Sequence, residues 1–549
     1  MKRFLRLACL LLACLMVVGT LTACDITEVL DEMFQDDDHA DRDDRYEDDE
    51  EEETKKKPSQ RPADTEAETD SLERPEETTQ WGDTWGEVET TRPQPEDPFK
   101  DPFKDPVKDE PLSELDAALK ELEGFDFDGR TFGVLCDSSS YYEAYADNES
   151  KDGYAAQIIN DAVYERNAML ESMLGVDIFV DQVNTGSVAT VIKPMVAAGE
   201  DAYQMIDCTL TETLALATNG YLLKYGDMNV DLSKSWWDQG TAEFTLAGNV
   251  YFMASSSNMW NNDVTYALMF NKDMAARYVS DNLYDVVRNG DWTLTYFNNA
   301  IQGAAGDNGD GVWNEYDYYG FVTTYAYANA FFVGADLRYV GSIGADGDFE
   351  LPVSSNTDLA LSVVEMTQQI YHGGATYMAP AGMESLGMDA FLGGRGMFYG
   401  EVLLYMKDVL RYSEAHIGVL PLPKYSTYQE EYRSLSHTVG SVLSVPVSAY
   451  GGEEVGTIVQ AYAVLSHKYV KPAYDNTYIA VVPDEDSMEM LELIWGSHVY
   501  DLGLYLGNAG VNELFYTVVN DNSGTFVSLY KSRSRMLEKQ VQTILKSLY

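Results

Sequence analysis

The chain has 549 residues and a formal net charge of −54, with 91 Asp and Glu against 37 Lys and Arg. Phosphate recognition needs clustered Lys and Arg, so this balance excludes the nucleic-acid-binding classes and argues against adhesion to anionic lipid headgroups. Neutral or cationic small ligands stay compatible with it. The acid is not confined to one place: Asp25–Glu110 hold 33 acids and 11 bases, and the chain from Pro111 onward still carries −35.

In chain order, the first element is a basic start (Lys2, Arg3, Arg6), an apolar run from Leu7 to Val18 and then Leu21-Thr22-Ala23-Cys24. That is the pattern of a secretory signal with a small-residue cleavage site. The apolar run is near the lower limit for crossing a bilayer. Leu-Thr-Ala-Cys in this place resembles a bacterial lipobox. The resemblance implies that residues 1–23 are removed, that Cys24 is acylated, and that the mature protein is anchored by lipid on the outer face of the cell membrane.

Residues 24–112 read as a disordered tether. Asp36–Glu53 is almost wholly charged, Thr, Pro and Glu dominate to Pro95, and Asp-Pro-Phe-Lys then repeats from Asp97. So few apolar residues cannot offset the entropy of ordering, and like charge with Pro keeps such a segment extended. Residues 113–549 run without a second linker, and that length exceeds what a single core holds, so two lobes are expected.

Pro111–Leu122 predicts a short leading helix. Arg130–Cys136 then predicts a strand, Asp152–Leu174 an amphipathic helix, Val176–Val180 a strand, Val188–Ala198 a helix broken or kinked at Pro194, and Tyr203–Cys208 a strand. This alternation implies a parallel α/β sheet. In such sheets the ligand crevice lies beyond the carboxyl ends of the strands, which places Asp137–Tyr142 and Cys208–Thr211 at a crevice. Tyr251–Met253 and Val264–Asn271 predict strands, and a new strand-helix rhythm resumes after Phe398: Ser441–Val447 as a strand, Glu454–Ser466 and Ser532–Leu548 as helices. Cys136 and Cys208 each follow a strand-like run. They form a disulfide if those strands are neighbours, or stay as two buried thiols, since free Cys packs as a small hydrophobe.

Several stretches, in this order, resemble family 1 extracellular solute-binding proteins of bacterial ABC importers, the maltose-binding-like group. They are Ile159–Asn167, Asp231–Asp238 followed by Tyr251-Phe252, Met269–Asp273 followed by Gly290–Thr293, Gly396–Gly400, and Ile417–Tyr425 followed by Gln429–Tyr432. The resemblance implies a two-lobe periplasmic-binding-protein-like α/β fold with hinge strands and an interlobe cleft. It also implies permease subunits in the membrane as partners, and a small solute, a sugar or oligosaccharide, as ligand.

A sugar pocket needs aromatic rings for the C–H faces and carboxylates or amides for the hydroxyls. On placement the candidates are Asp137, Tyr141 and Tyr142 after the first strand, Trp260 and Asn261 (with Asn262) in a polar insertion between crossing strands, Tyr325 (with Tyr327) in an aromatic-rich loop, and Glu401 where a strand ends. Trp236 and Trp237 are expected to pack a loop onto the first lobe, and Trp292 to anchor a core.

Gly306–Asp317 resembles a twelve-residue calcium loop. With Gly311 at the sharp-turn position, Asn308, Asp310, Asn314 and Asp317 fall at ligand positions. Gly306 stands where Asp is usual, and Asp307 is placed to shift into the gap. The competing reading is a solvated Asn/Gly/Asp turn; any calcium would be structural, and no cofactor is required.

No paired-His metal motif, nucleophile elbow or phosphate-cradling loop occurs. A non-enzymatic receptor is therefore expected. A surface carbohydrate-binding or adhesion lipoprotein without a transporter remains open, as does a surface glycosidase, whose carboxylate pair is set in space rather than in sequence.

Overall fold

The computed structural model describes residues 112–548, apart from 148, 149, 152 and 409. The signal, Cys24 and the tether lie outside the described residues. In chain order the strands are β1 (Arg130–Asp137), β2 (Val176–Val183), β3 (Met205–Thr209), β4 (Phe252–Met253), β5 (Tyr266–Asn271), β6 (Tyr319–Thr323), β7 (Thr376–Met378), β8 (Gly396–Val402), β9 (Ile417–Leu420), β10 (Ser434–Leu435), β11 (Ser441–Ser444) and β12 (His498–Val499). The helices that matter below are α1 (Glu114–Leu122), α2 (Tyr141–Ala144), α3 (Tyr154–Leu174), α4 (Val188–Ala198), α5 (Met259–Asp263), α6 (Ser385–Leu392), α7 (Gly452–Leu465) and α8 (Phe526–Leu548).

The strands form two five-stranded sheets, one per lobe. The first has the order β2-β1-β3-β11-β4 and the second β7-β6-β8-β5-β9. In the first, β1 runs parallel to β2 and β3, and β11 is antiparallel to β3. In the second, β6 is parallel to β7 and β8, while β5 is antiparallel to β8 and β9. Helices cover both faces of such sheets, so their strands read as continuous apolar runs rather than alternating ones. Phe132, Val134, Leu135 and Cys136 of β1 are all fully buried.

The chain passes between the lobes three times, between β4 and β5, between β9 and β11, and around β12. These crossings are bonded to one another. Thr265 bridges Ser436, Ser434 and Leu435 of β10 pair with His498 and Val499 of β12, and the Thr265 hydroxyl lies 2.8 Å from His498 Nε2. Three short hydrogen-bonded segments between two rigid sheets are the anatomy of a hinge.

Two expectations change in detail, and one left open is decided. The helix with Pro194 is unbroken over Val188–Ala198. Pro194 and Thr190 are both exposed, so the Thr190 carbonyl that Pro cannot serve faces water and the helix continues. The insertion holding Trp260–Asn262 is the short helix α5. Cys136 and Cys208 are both free. Cys136 pairs in register with Asp207 on β3, so Cys208, one residue further, points to the opposite face of the sheet. Trp236 and Trp237 pack in the first lobe's core beside Tyr225, and Trp292 is buried with its indole N–H donating to Pro421 O at 2.9 Å.

Candidate functional site

The parallel strands deliver their carboxyl ends to one edge of each sheet: β1 ends at Asp137, β3 at Thr209, β6 at Thr323 and β8 at Val402. Asp137 is buried and both of its oxygens are occupied. Oδ1 accepts the N–H groups of Ser139 and Ser140 and the Ser139 hydroxyl, and Oδ2 accepts the Thr209 N–H at 3.1 Å. Burial raises its carboxyl while these donors pull it back down. Asp137 therefore ties the β1–α2 turn to the end of β3.

That turn sets the tyrosines of α2. Tyr141 stacks on Tyr145 at 4.8 Å and 12°. Tyr142 is 40 % exposed, yet its hydroxyl is held well above the usual range, first by the protein packed around it and then by Glu143 and Asp263.

Glu143, beside it, is buried and joins wall to floor. Its Oε1 accepts the Trp260 backbone N–H at 2.6 Å, and its Oε2 takes the Ser441 hydroxyl at 3.4 Å. Trp260 and Asn262 are half-buried on α5, and the Trp260 indole N–H has no acceptor. Asn261 turns inward. Its amide accepts the Ser441 N–H at 2.7 Å and donates to the Ser441 carbonyl at 2.8 Å, so it fastens the hinge.

The sequence reading missed His437, in the β10–β11 crossing. It is half-buried along with Thr438 and Val439. Burial pushes its imidazole down to about 4. The Val439 N–H donates to its Nδ1 at 3.2 Å, which puts the proton of the neutral ring on Nε2. Its ring centre lies 6.1 Å from that of Tyr266, where β5 begins. The cue was available: Ser-His-Thr-Val-Gly before β11 is a polar crossing like the one that flagged Trp260.

On the second lobe Tyr325 is half-buried and meets Tyr516 edge-on at 5.6 Å. Glu401 is fully buried at the end of β8, with Oε1 on the Val402 N–H at 3.0 Å and no donor to Oε2. Burial, and secondarily Glu384, pushes it up to about 8. Glu384, also missed, is 4 % exposed just before α6; Oε1 accepts the Gly382 N–H at 2.8 Å and Oε2 accepts nothing. Tyr327 is core: fully buried, it donates to the Ala267 carbonyl at 2.9 Å.

The structure thus joins Tyr142 to Trp260 through Glu143, and sets Tyr325 and Glu401 around Glu384. A further buried acid, Asp207, lies under the first wall. Its Oδ1 accepts from Asn258 at 3.1 Å, its Oδ2 has no donor, and burial holds it at about 7. Arg166 is spent on the Ser466 hydroxyl and the Glu143 carbonyl, both at 2.8 Å. Chemically these strand ends and crossings bring together ring faces, carboxyl groups and one imidazole N–H.

Away from it, the carboxylates of Asp307, Asp310 and Asp317 come within 4.8 Å of one another. Asp317 is buried and accepts the N–H groups of Asn308 and Asn314 at 2.8 and 2.6 Å. The Asn308 and Asn314 side-chain oxygens accept from Asp310 and Tyr316 within the same loop. Among the described residues no helix is long and apolar enough to cross a membrane.

No family model matches the chain, and no curated protein matches it. Solved structures do. A cyclo/maltodextrin-binding protein complexed with maltotetraose is 12 % identical, with a TM-score of 0.49, over 76 % of this chain and 98 % of that one. A family 1 extracellular solute-binding protein from Bifidobacterium longum subsp. infantis is 12 % identical, with a TM-score of 0.48, over 75 % and 100 %. The sugar-binding protein MalE from Xanthomonas citri is 11 % identical, with a TM-score of 0.48, over 76 % and 97 %.

Proposed function

We propose that this chain is the solute-capturing receptor of an ABC importer, anchored by lipid at Cys24 outside the cell, and that it binds and does not transform its ligand. The solute is small and polar, of the sugar or oligosaccharide class. The observation that supports the reading is two five-stranded sheets joined by three hydrogen-bonded crossing segments; on this reading Tyr142 and Trp260 of the first lobe and Tyr325 of the second would line the solute site. Rings stack on apolar sugar faces, and the carboxyl groups and His437 take or give the hydroxyl hydrogens. Lobe closure on the solute would favour the form a permease recognises, because a ligand shifts a two-state equilibrium by its differential affinity. The loop Asp307–Asp317 would hold one structural calcium ion through Asp307, Asp310 and Asp317, whose oxygens lie close enough together to share an ion of that size.

Small-angle scattering tests the reading. A thermal-shift screen over sugars and other polar metabolites finds a ligand, and scattering is then recorded with and without it. Compaction on binding is expected. A bound solute that leaves the radius of gyration unchanged, or is chemically altered by the protein, overturns the reading.

A further inference from the structure

Two short helices of the second lobe, Leu283–Arg288 and Leu294–Gln302, are joined by a tight turn at Gly290, whose φ of +75° lies in the left-handed region. Asn282, Asp285 and Asn289 recur at helical spacing along the first, and Thr295, Tyr296 and Asn299 lie close together on the second. These residues line a cavity of about 680 Å³, within the roughly 300–1,000 Å³ usual for small-ligand sites. None of Tyr142, Trp260 and Tyr325 lines it.

The one ring of this cavity is held in place. Tyr296 is half-buried against the buried Trp292, with ring centres 5.7 Å apart, and its hydroxyl donates to Asp281 Oδ2 at 2.9 Å. The acids of the rim are matched by donors or bases. Asp281 holds Tyr296, Asp285 takes Arg288 at 3.0 Å, and the base nearest in charge to Asp291 is Lys424. Among the described residues only Asp307, Asp310 and Asp317 bring their carboxylates close enough together to share an ion, so the rim is not a metal site.

Lys424 is the unusual member. It is 3 % exposed, its ammonium has no carboxylate within ion-pair distance among the described residues, and it lies 5.0 Å from the centre of the Tyr432 ring. A Cβ on Gly290 would come within 3.1 Å of its Nζ, so the ammonium stands against the turn that separates the lining residues Asn289 and Asp291. A buried ammonium without an acceptor is costly unless a ligand supplies one. In front of it the amides of Asn289 and Asn299 and the Thr295 hydroxyl are exposed and have no partner among the described residues. Amides and hydroxyls both give and accept hydrogen bonds. An anion would meet three Asp side chains, and a cation would meet Lys424 and Arg288.

We propose that this cavity is a sugar site separate from the cleft, which takes a neutral, hydroxyl-rich unit of a glycan chain. The apolar face of the unit lies on Tyr296, and its hydroxyls bond Asn289, Asn299, Thr295 and Lys424. The rim is exposed, so a unit within a longer chain fits and no lobe closure is needed. The site goes beyond the receptor reading and does not depend on it: it would hold the protein on a polymer while the cleft takes free solute.

Electrophoresis of the full chain in native gels tests this. The gels contain starch, mannan, xylan or mixed-linkage glucan as neutral probes, polygalacturonate as an acidic one, or no polymer. At least one neutral polymer should slow the chain, and polygalacturonate should not. Tyr296→Ala and Asn299→Ala should each weaken that retardation roughly fivefold or more, and Asn299→Ala, a change at an exposed side chain, should melt with the parent. Retardation by no neutral polymer, or by polygalacturonate alone, overturns the proposal. So does retardation that survives in both variants. Retardation lost in Tyr142→Ala but kept in Tyr296→Ala and Asn299→Ala assigns the polymer to the cleft, which overturns the second site and leaves the receptor reading standing.

Discussion

The backbone N–H of Trp260 lies 2.6 Å from Glu143 Oε1, so one side chain of α2 grips the helix that carries the hinge tryptophan. Burial holds the Glu143 carboxyl well above the usual range. Glu143→Gln keeps an oxygen for Trp260 and adds no charge, so it should leave stability at pH 7 close to that of the parent. Glu143→Ala strands the Trp260 N–H and should cost about 1–3 kcal/mol, along with ligand affinity. Urea titrations of the two variants decide the matter: equal damage from both would mean that the carboxylate charge, and not its shape, is what the hinge needs.

Tyr142 is the most exposed of the candidate rings, at 40 %. Its truncation should therefore touch binding more than folding. Tyr142→Ala should cost about 2 kcal/mol of binding, roughly thirtyfold in Kd. Its unfolding free energy should stay within about 0.5 kcal/mol of the parent, as for surface changes in general. Calorimetry beside a urea melt reads both; a large stability loss with unchanged affinity would remove Tyr142 from the site.

The alternation from Arg130 to Thr209 was legible as a parallel sheet because buried strands and amphipathic helices leave different periods in the sequence. Strand ends also picked out Asp137–Tyr142 as the edge where a ligand is expected. The direction of individual side chains was not legible. Asp137 and Asn261 looked like ligand groups because they are polar at the right edge, and only coordinates reveal that the N–H groups of Thr209 and Ser441 already occupy them. Glu384 and His437 were missed for the converse reason. Neither belongs to a periodic element, and each sits on a crossing or loop that sequence spacing does not place. The relation between Cys136 and Cys208 depended on a one-residue register offset, which no composition encodes.

That offset makes its own prediction. Both thiols are buried, burial raises each well above the usual cysteine range, and thiols in that state are inert. A thiol reagent should label neither in the native protein and both in 6 M guanidinium, and dithiothreitol should leave the melting temperature unchanged. A reductant-sensitive melt would contradict the register.

Glu401 gives stability a pH dependence. Its carboxyl sits at about 8 in the folded chain against an ordinary value of 4.5. Between those values the folded chain keeps a proton that the unfolded chain has released, so stability falls as pH rises across the window. The ceiling is roughly 4–5 kcal/mol at 1.36 kcal/mol per pH unit. His437 acts with the opposite sign. Its folded value of about 4 lies below the usual 6.5, so stability falls as pH drops through that range. Urea midpoints should therefore decline from about pH 6.5, where His437 no longer offsets the change, to pH 8 and level off above it, and Glu401→Gln should flatten that decline. A variant whose alkaline slope matches the parent's would show that Glu401 is not the group responsible.

The loop Asp307–Asp317 separates two kinds of support. Asp317 already holds two backbone N–H groups without an ion, at 2.8 and 2.6 Å, so Asp317→Ala should destabilise the chain by about 1–3 kcal/mol even in chelator. Asp310 is exposed, and its Oδ1 accepts the Val312 N–H at 2.8 Å. Asp310→Asn keeps that bond and removes only charge. With calcium bound, the parent's melting temperature should rise as the free ion passes its dissociation constant, and Asp310→Asn should shift that rise to higher calcium while melting like the parent in chelator. A parent that melts at one temperature from chelator to 10 mM calcium would leave the loop as a self-supporting turn held by Asp317.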